Sequence, residues 1–134
     1  MDQSSTQPFR FQAGKHVFLV DDDGVAQMLF DGRVSVEEAR SLANAVIRAG
    51  DDLGPFPILV DLDRLADFDS GARQVFARPS RPYPLSAVAY FGGTFATKTL
   101  IHTIVRAGKL IAPKSFVFEV QWFPTEAESR RFLA

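Results

Sequence analysis

Three short constellations carry groups that could do chemistry. The first is Asp61-Leu62-Asp63, which closes the apolar run Pro57-Ile58-Leu59-Val60. Two carboxylates delivered by a buried strand could act as nucleophile and acid/base in phosphoryl transfer. The second is Asp67-Phe68-Asp69-Ser70-Gly71-Ala72, where a hydroxyl follows two acids at an expected helix start. A phosphate on Ser70 would add roughly −1.5 to −2 charges beside Asp67 and Asp69, a repulsion able to switch a docking surface. The plainer reading is that Asp69 or Ser70 caps the helix. The third is Gly92-Gly93-Thr94. There, glycines would let the backbone approach an anion, and the following helix would offer its first amides.

None of these completes a catalyst. Asp61-x-Asp63 resembles the first motif of the haloacid-dehalogenase phosphatases, but Leu65 stands where that motif has Thr or Val, and no aspartate follows Asp69. The acids that would hold Mg²⁺ are therefore missing, and Asp61 and Asp63 read better as holders of loop amides and strand ends. Ser70 lacks the Gly-x-Ser-x-Gly elbow of a hydrolase. His102 shares a basic helix face with Lys98 and Arg106, while His16 lies in the first hairpin. Neither histidine has metal-pair spacing, and both are expected at the surface or rim. Asp21-Asp22-Asp23-Gly24 lacks the alternation and distal Glu of a calcium loop and reads as a solvated turn. The expectation is a protein that is not an enzyme and uses no metal or cofactor.

Positioning these groups takes one domain's worth of chain. The 134 residues are 46% hydrophobic and 23% charged, an ordinary globular balance. A net charge of −1 supplies no field for nucleic acid. Thirteen phenylalanines predict a bulky core, with apolar surface to spare for a partner or ligand. The absence of cysteine removes disulfides and thiolate chemistry. No export signal or membrane-spanning run is visible, so a cytoplasmic location is expected.

Residues 1–14 read as a tail, polar and frayed over Met1–Pro8. In it, Phe9-Arg10-Phe11 alternates as for an edge strand or a ring tucked under a sheet. Residues 15–134 form the expected single domain. His16–Val20 and Val25–Phe30 flank Asp21–Gly24 as a hairpin. Ser35-Val36-Glu37-Glu38 is a capping box opening an amphipathic helix whose stripe runs from Val36 to Gly50 and which Asp51-Asp52-Leu53-Gly54-Pro55 ends. Phe56–Leu62 is continuously apolar, as a central parallel strand should be, and Arg64–Phe68 reads as a loop. A short helix from Asp69 stops at Arg78-Pro79. Leu85–Phe91 is the next buried strand. A long helix follows from Thr94 to Gly108 or Ile111, with Leu100, Ile101, Ile104 and Val105 as its apolar stripe. Phe116–Phe123 alternates as an outer strand, and Thr125-Glu126-Ala127-Glu128 starts a last helix. The sum is an α/β fold with an N-terminal hairpin, a mixed sheet with parallel central strands, and about four helices.

This order is similar to the STAS fold of SpoIIAA-type anti-sigma-factor antagonists, over roughly residues 15–134. The nearest form is the SpoIIAA-like, STAS/SEC14 group of small bacterial proteins. Leu59-Val60-Asp61-Leu62 matches the strand that precedes its switch helix. Phe123-Pro124-Thr125-Glu126…Phe132-Leu133 approximates its terminal signature. In the antagonists, the serine of an Asp-Ser-Ser/Thr-Gly-Leu motif is phosphorylated by an anti-sigma kinase, and the unphosphorylated form binds that kinase. The resemblance implies Ser70 as the equivalent, although Asp69-Ser70-Gly71-Ala72 lacks the second hydroxyl and has Ala72 in place of Leu. The leading expectation is a non-catalytic protein-binding domain in bacterial signalling. Ser70 is its regulatory residue, and Asp67, Asp69, Gly71, Gly92, Gly93 and Thr94 form its partner surface. The partner would be an anti-sigma-like kinase, with a homodimer through Phe116–Phe123 also compatible. The SEC14 side implies the alternative of an apolar or lipid ligand under the helices.

Overall fold

The computed structural model describes residues 9–134, so the expected frayed tail Met1–Pro8 lies outside the described residues. Phe9-Arg10-Phe11 belongs to a strand, β1 (Phe9–Ala13), which pairs antiparallel with β2 (His16–Val20). β2 continues antiparallel into β3 (Ala26–Val34) across the Asp21–Gly24 turn. That turn is held by one carboxylate: Asp21 Oδ1 accepts from the Asp23 amide at 2.9 Å and the Val25 amide at 3.1 Å. The triple aspartate is thus a side-chain-stapled turn.

From β3 onward the chain winds in one direction. α1 (Val36–Leu53) leads to β4 (Phe56–Phe68), and α2 (Ser70–Ala77) leads to β5 (Leu85–Phe91). α3 (Phe95–Ile111) and a 3₁₀ turn at Pro113–Ser115 lead to β6 (Glu119–Phe123), and α4 (Glu126–Leu133) closes the chain. β3, β4, β5 and β6 are parallel, and the six strands lie in sequence order across the sheet. Three successive crossovers in one direction place their helices on one face. Leu42 of α1, Ala72 of α2 and Ile104 of α3 accordingly share a core with Phe18, Met28, Ile58 and Tyr90. The opposite face has a smaller core, where Leu59, Ala89 and Phe91 meet Phe132 and Leu133 of α4.

The helix starts follow their local signals. Ser35 and Glu38 form a complete capping box, with Glu38 N–H donating to Ser35 Oγ at 3.1 Å and Ser35 N–H to Glu38 Oε1 at 3.0 Å. Thr94 and Thr97 do the same for α3. α1 ends at Leu53, within the expected stop, with Gly54 as its cap at φ +74°.

Three expectations need correction. Arg64–Phe68 is not a loop. β4 runs through it, paired with β3 as far as Val34↔Phe68 across two register shifts. Leu65 and Phe68 are buried there, and Phe68 meets Phe30 at 5.2 Å and Phe76 at 5.6 Å between ring centres. Arg64, Ala66 and Asp67 sit on a ribbon that outruns β5, whose pairing with β4 stops at Asp61, and so they keep contact with solvent. The outer strand begins at Glu119 instead of Phe116. Phe116 and Phe118 instead turn inward from irregular backbone, packing on Tyr83 at 5.5 and 6.4 Å. His16 is not at the rim, since it is 1% exposed. Its Nδ1 accepts from the Asp31 amide at 3.0 Å, so Nε2 carries the proton toward Arg33 O and Glu38 Oε1. His16 thereby ties the first hairpin to the start of α1.

Candidate functional site

Ser70 is the first residue of α2 and is exposed. Asp69 occupies the cap position, yet its side chain makes no capping bond. Its Oδ1 instead accepts from Arg33 Nε, across the end of the β3–β4 ribbon. Asp67 is shared, with its own Oδ1 accepting from Arg73 Nη2 at 3.4 Å and its Oδ2 lying 3.8 Å from Arg33 Nη1. Ser70 therefore sits on an acidic edge already interleaved with two arginines. Sequence reading missed Arg33 and Arg73, because only the parallel pairing of β3 with β4 brings Arg33 beside Asp69. Gly71 serves packing: a Cβ there would meet a Val36 methyl at 2.6 Å, so glycine lets α2 close onto the first turn of α1.

Gly92, Gly93 and Thr94 lie at the β5–α3 junction. Both glycines are left-handed, at φ +72° and +75°. Two amides of this junction are engaged by the protein itself. Gly93 N–H donates to Asp63 Oδ1 at 2.9 Å, and Thr94 N–H to Thr97 Oγ1 at 2.8 Å. Asp63 N–H in turn donates to Asp61 Oδ1 at 2.9 Å. Asp61 and Asp63 hold amides, as their place in the sequence suggested. Burial, with neighbouring Asp63 and Glu126, pushes the Asp61 carboxyl above the usual carboxylate range. No group of three or more metal-ligating side chains occurs among the described residues.

The most apolar space lies under the helices. A cavity of about 130 Å³ opens between the sheet and α1, α2 and α3. It is walled by apolar and aromatic side chains, including Phe30, Ile58, Val60, Val88, Ile104 and Phe118. Two tyrosines reach it. Tyr83 Oη donates to Phe76 O at 2.7 Å, but the buried Tyr90 hydroxyl has no hydrogen-bond partner among the described residues. Burial pushes the Tyr90 phenol up to about 12, so it remains a donor. Leaving a buried polar group unpartnered costs about 1–3 kcal/mol. The Tyr90 ring meets His102 edge-on at 5.4 Å. Desolvation, Lys98 and Arg106 hold His102 below the usual imidazole range. The phenylalanine excess hinted at this space, but no motif marks its walls.

No protein-family model matches the chain, and no curated protein does. Among solved structures, it is similar over 100% of both chains to an uncharacterised protein of the DUF3478 family from Shewanella loihica PV-4, described as having a SpoIIAA-like fold. The TM-score is 0.56 at 13% identity. The six-stranded mixed sheet and four α-helices of the described residues thus have a SpoIIAA-like fold. No helix among the described residues is long and apolar enough to cross a membrane.

Proposed function

We propose that this domain works by binding, not catalysis, and that its ligand is a small apolar molecule held between the sheet and α1–α3. The observation that carries this reading is the wholly apolar cavity between the sheet and the helices, walled by aromatic and aliphatic side chains that include the Tyr90 ring. Native cores close such spaces. A ligand with an apolar body would fill the space. The scale is modest, since an engineered apolar cavity of about 150 Å³ takes up benzene. Native mass spectrometry of freshly purified protein, with thermal melts in octan-1-ol, tests it. The expected result is a co-purifying small mass or a rise in Tm with octanol. Val60→Phe, which adds a ring to the cavity wall, should abolish the effect while the fold is kept by circular dichroism. An empty protein whose Tm ignores octanol would overturn the reading.

A second reading is protein docking at the Ser70 edge, consistent with a role in bacterial signalling. It is favoured by the exposed hydroxyl at the start of α2 beside the Arg33–Asp69 and Arg73–Asp67 pairs. Phosphate on Ser70 would compete for Arg33 and Arg73 and release Asp67 and Asp69. The partner would be an anti-sigma-like kinase. Incubation with candidate kinases followed by intact-mass measurement tests it. If Ser70 gains no phosphate and Ser70→Glu leaves partner binding unchanged, the switch is wrong.

A further inference from the structure

We infer that the ligand is a single-chain anionic amphiphile whose head sits in the groove between α3 and β6 and whose tail enters the cavity; this rests on the cavity being a ligand site. The groove is lined by His102, Val105, Arg106, Lys109, Leu110 and Val120. Val105 also lines the cavity, so the two spaces meet at one side chain. The Tyr90 ring, packed on His102, spans the same boundary.

The electrostatics of this groove are one-sided. From Gly92 to Phe118 the chain has no carboxylate but carries Lys98, Arg106, Lys109 and Lys114 within a protein of net charge −1. His102, Arg106 and Lys109 form no ion pair among the described residues. The helix face that carries them also exposes apolar side chains, with Leu110 79% and Phe95 84% exposed. Val117 beyond the helix is 78% exposed. Cations beside exposed apolar groups at the edge of an apolar cavity match a carboxylate or phosphate head on a hydrocarbon chain. A neutral hydrocarbon would leave the groove unused, and a cationic amphiphile would be repelled. The cavity holds a chain end of about six carbons, by comparison with the space that takes benzene. A medium-chain alkyl carboxylate therefore suits both parts.

The test compares octanoate with octan-1-ol by isothermal titration calorimetry on the full chain. The two probes have the same tail and differ in the head. Octanoate should bind about tenfold or more tightly than octanol, the size of one charge-assisted contact. Arg106→Gln with Lys109→Gln should remove that preference and leave octanol binding unchanged. Equal affinities for the two probes would overturn the anionic head while leaving the cavity reading standing. Binding of neither would overturn both. The same head chemistry could arrive on a bilayer, so co-sedimentation with phosphatidylglycerol vesicles is the third arm. Sedimentation without octanoate binding would overturn the single-chain ligand in favour of a membrane surface.

Discussion

Single residues here do different work from the work their types suggest. Asp61 and Asp63 have nucleophile-like spacing, yet each carboxylate holds an amide, and Asp63 closes the β5–α3 junction. Because Asp61 titrates above the usual range, its ionised form is a cost to the folded state at neutral pH. Asp61→Asn keeps an acceptor for the Asp63 amide and removes that cost. Its urea midpoint should exceed that of the parent at pH 7. The gain should vanish as pH falls through the raised value toward about 3.9, where Asp61 is protonated in both states. Gly93 is fixed by backbone, and an added Cβ would meet Leu62 Cβ at 2.8 Å. With φ at +75°, Gly93→Ala should destabilise by about 1–3 kcal/mol in equilibrium unfolding.

At the scale of elements, α1 is specified by its own start, while α2 is specified by its surroundings. The Ser35–Glu38 box is written in four consecutive residues. Ser35→Ala should cost about 1 kcal/mol by chemical denaturation. The Ser35 amide, followed by His16, holds the Glu38 carboxyl below its ordinary value. Its folded value is depressed, so the stabilisation is full above the unfolded value near 4.3 and lost as pH falls through the folded one. The penalty of Glu38→Ala should therefore be larger at pH 7 than at pH 3. α2 has no side-chain cap, because Asp69 is drawn to Arg33 instead. Its position is set by Gly71 against Val36 and by Phe76 among Phe30 and Phe68.

Across the whole molecule, the helices are distributed unequally over the two faces, and α3 leaves much of its surface in solvent. Leu62, fully buried, and Leu110, mostly exposed, separate folding from binding. Leu62→Ala should cost about 2–5 kcal/mol, whereas Leu110→Ser should leave the melting curve within about 0.5 kcal/mol of the parent. A comparable loss from both would mean that α3 is held by its outer face. The sequence by itself determined the order of strands and helices, the α1 and α3 starts, and the SpoIIAA-like class of fold. The order and the helix starts follow from local periodicity, capping chemistry and continuous apolar runs, and the class of fold from the resemblance carried by Leu59-Val60-Asp61-Leu62 and the Phe123…Leu133 end. It also placed Ser70 at a helix start. Only the tertiary structure decided that β4 runs to Phe68, that His16 is buried, and that Asp69 serves Arg33. It alone showed that Asp63 accepts from the Gly93 amide and that Tyr90 meets an open apolar space. Each of these depends on residues far apart in the chain meeting across parallel strands, and a gap between packed elements belongs to no segment of sequence.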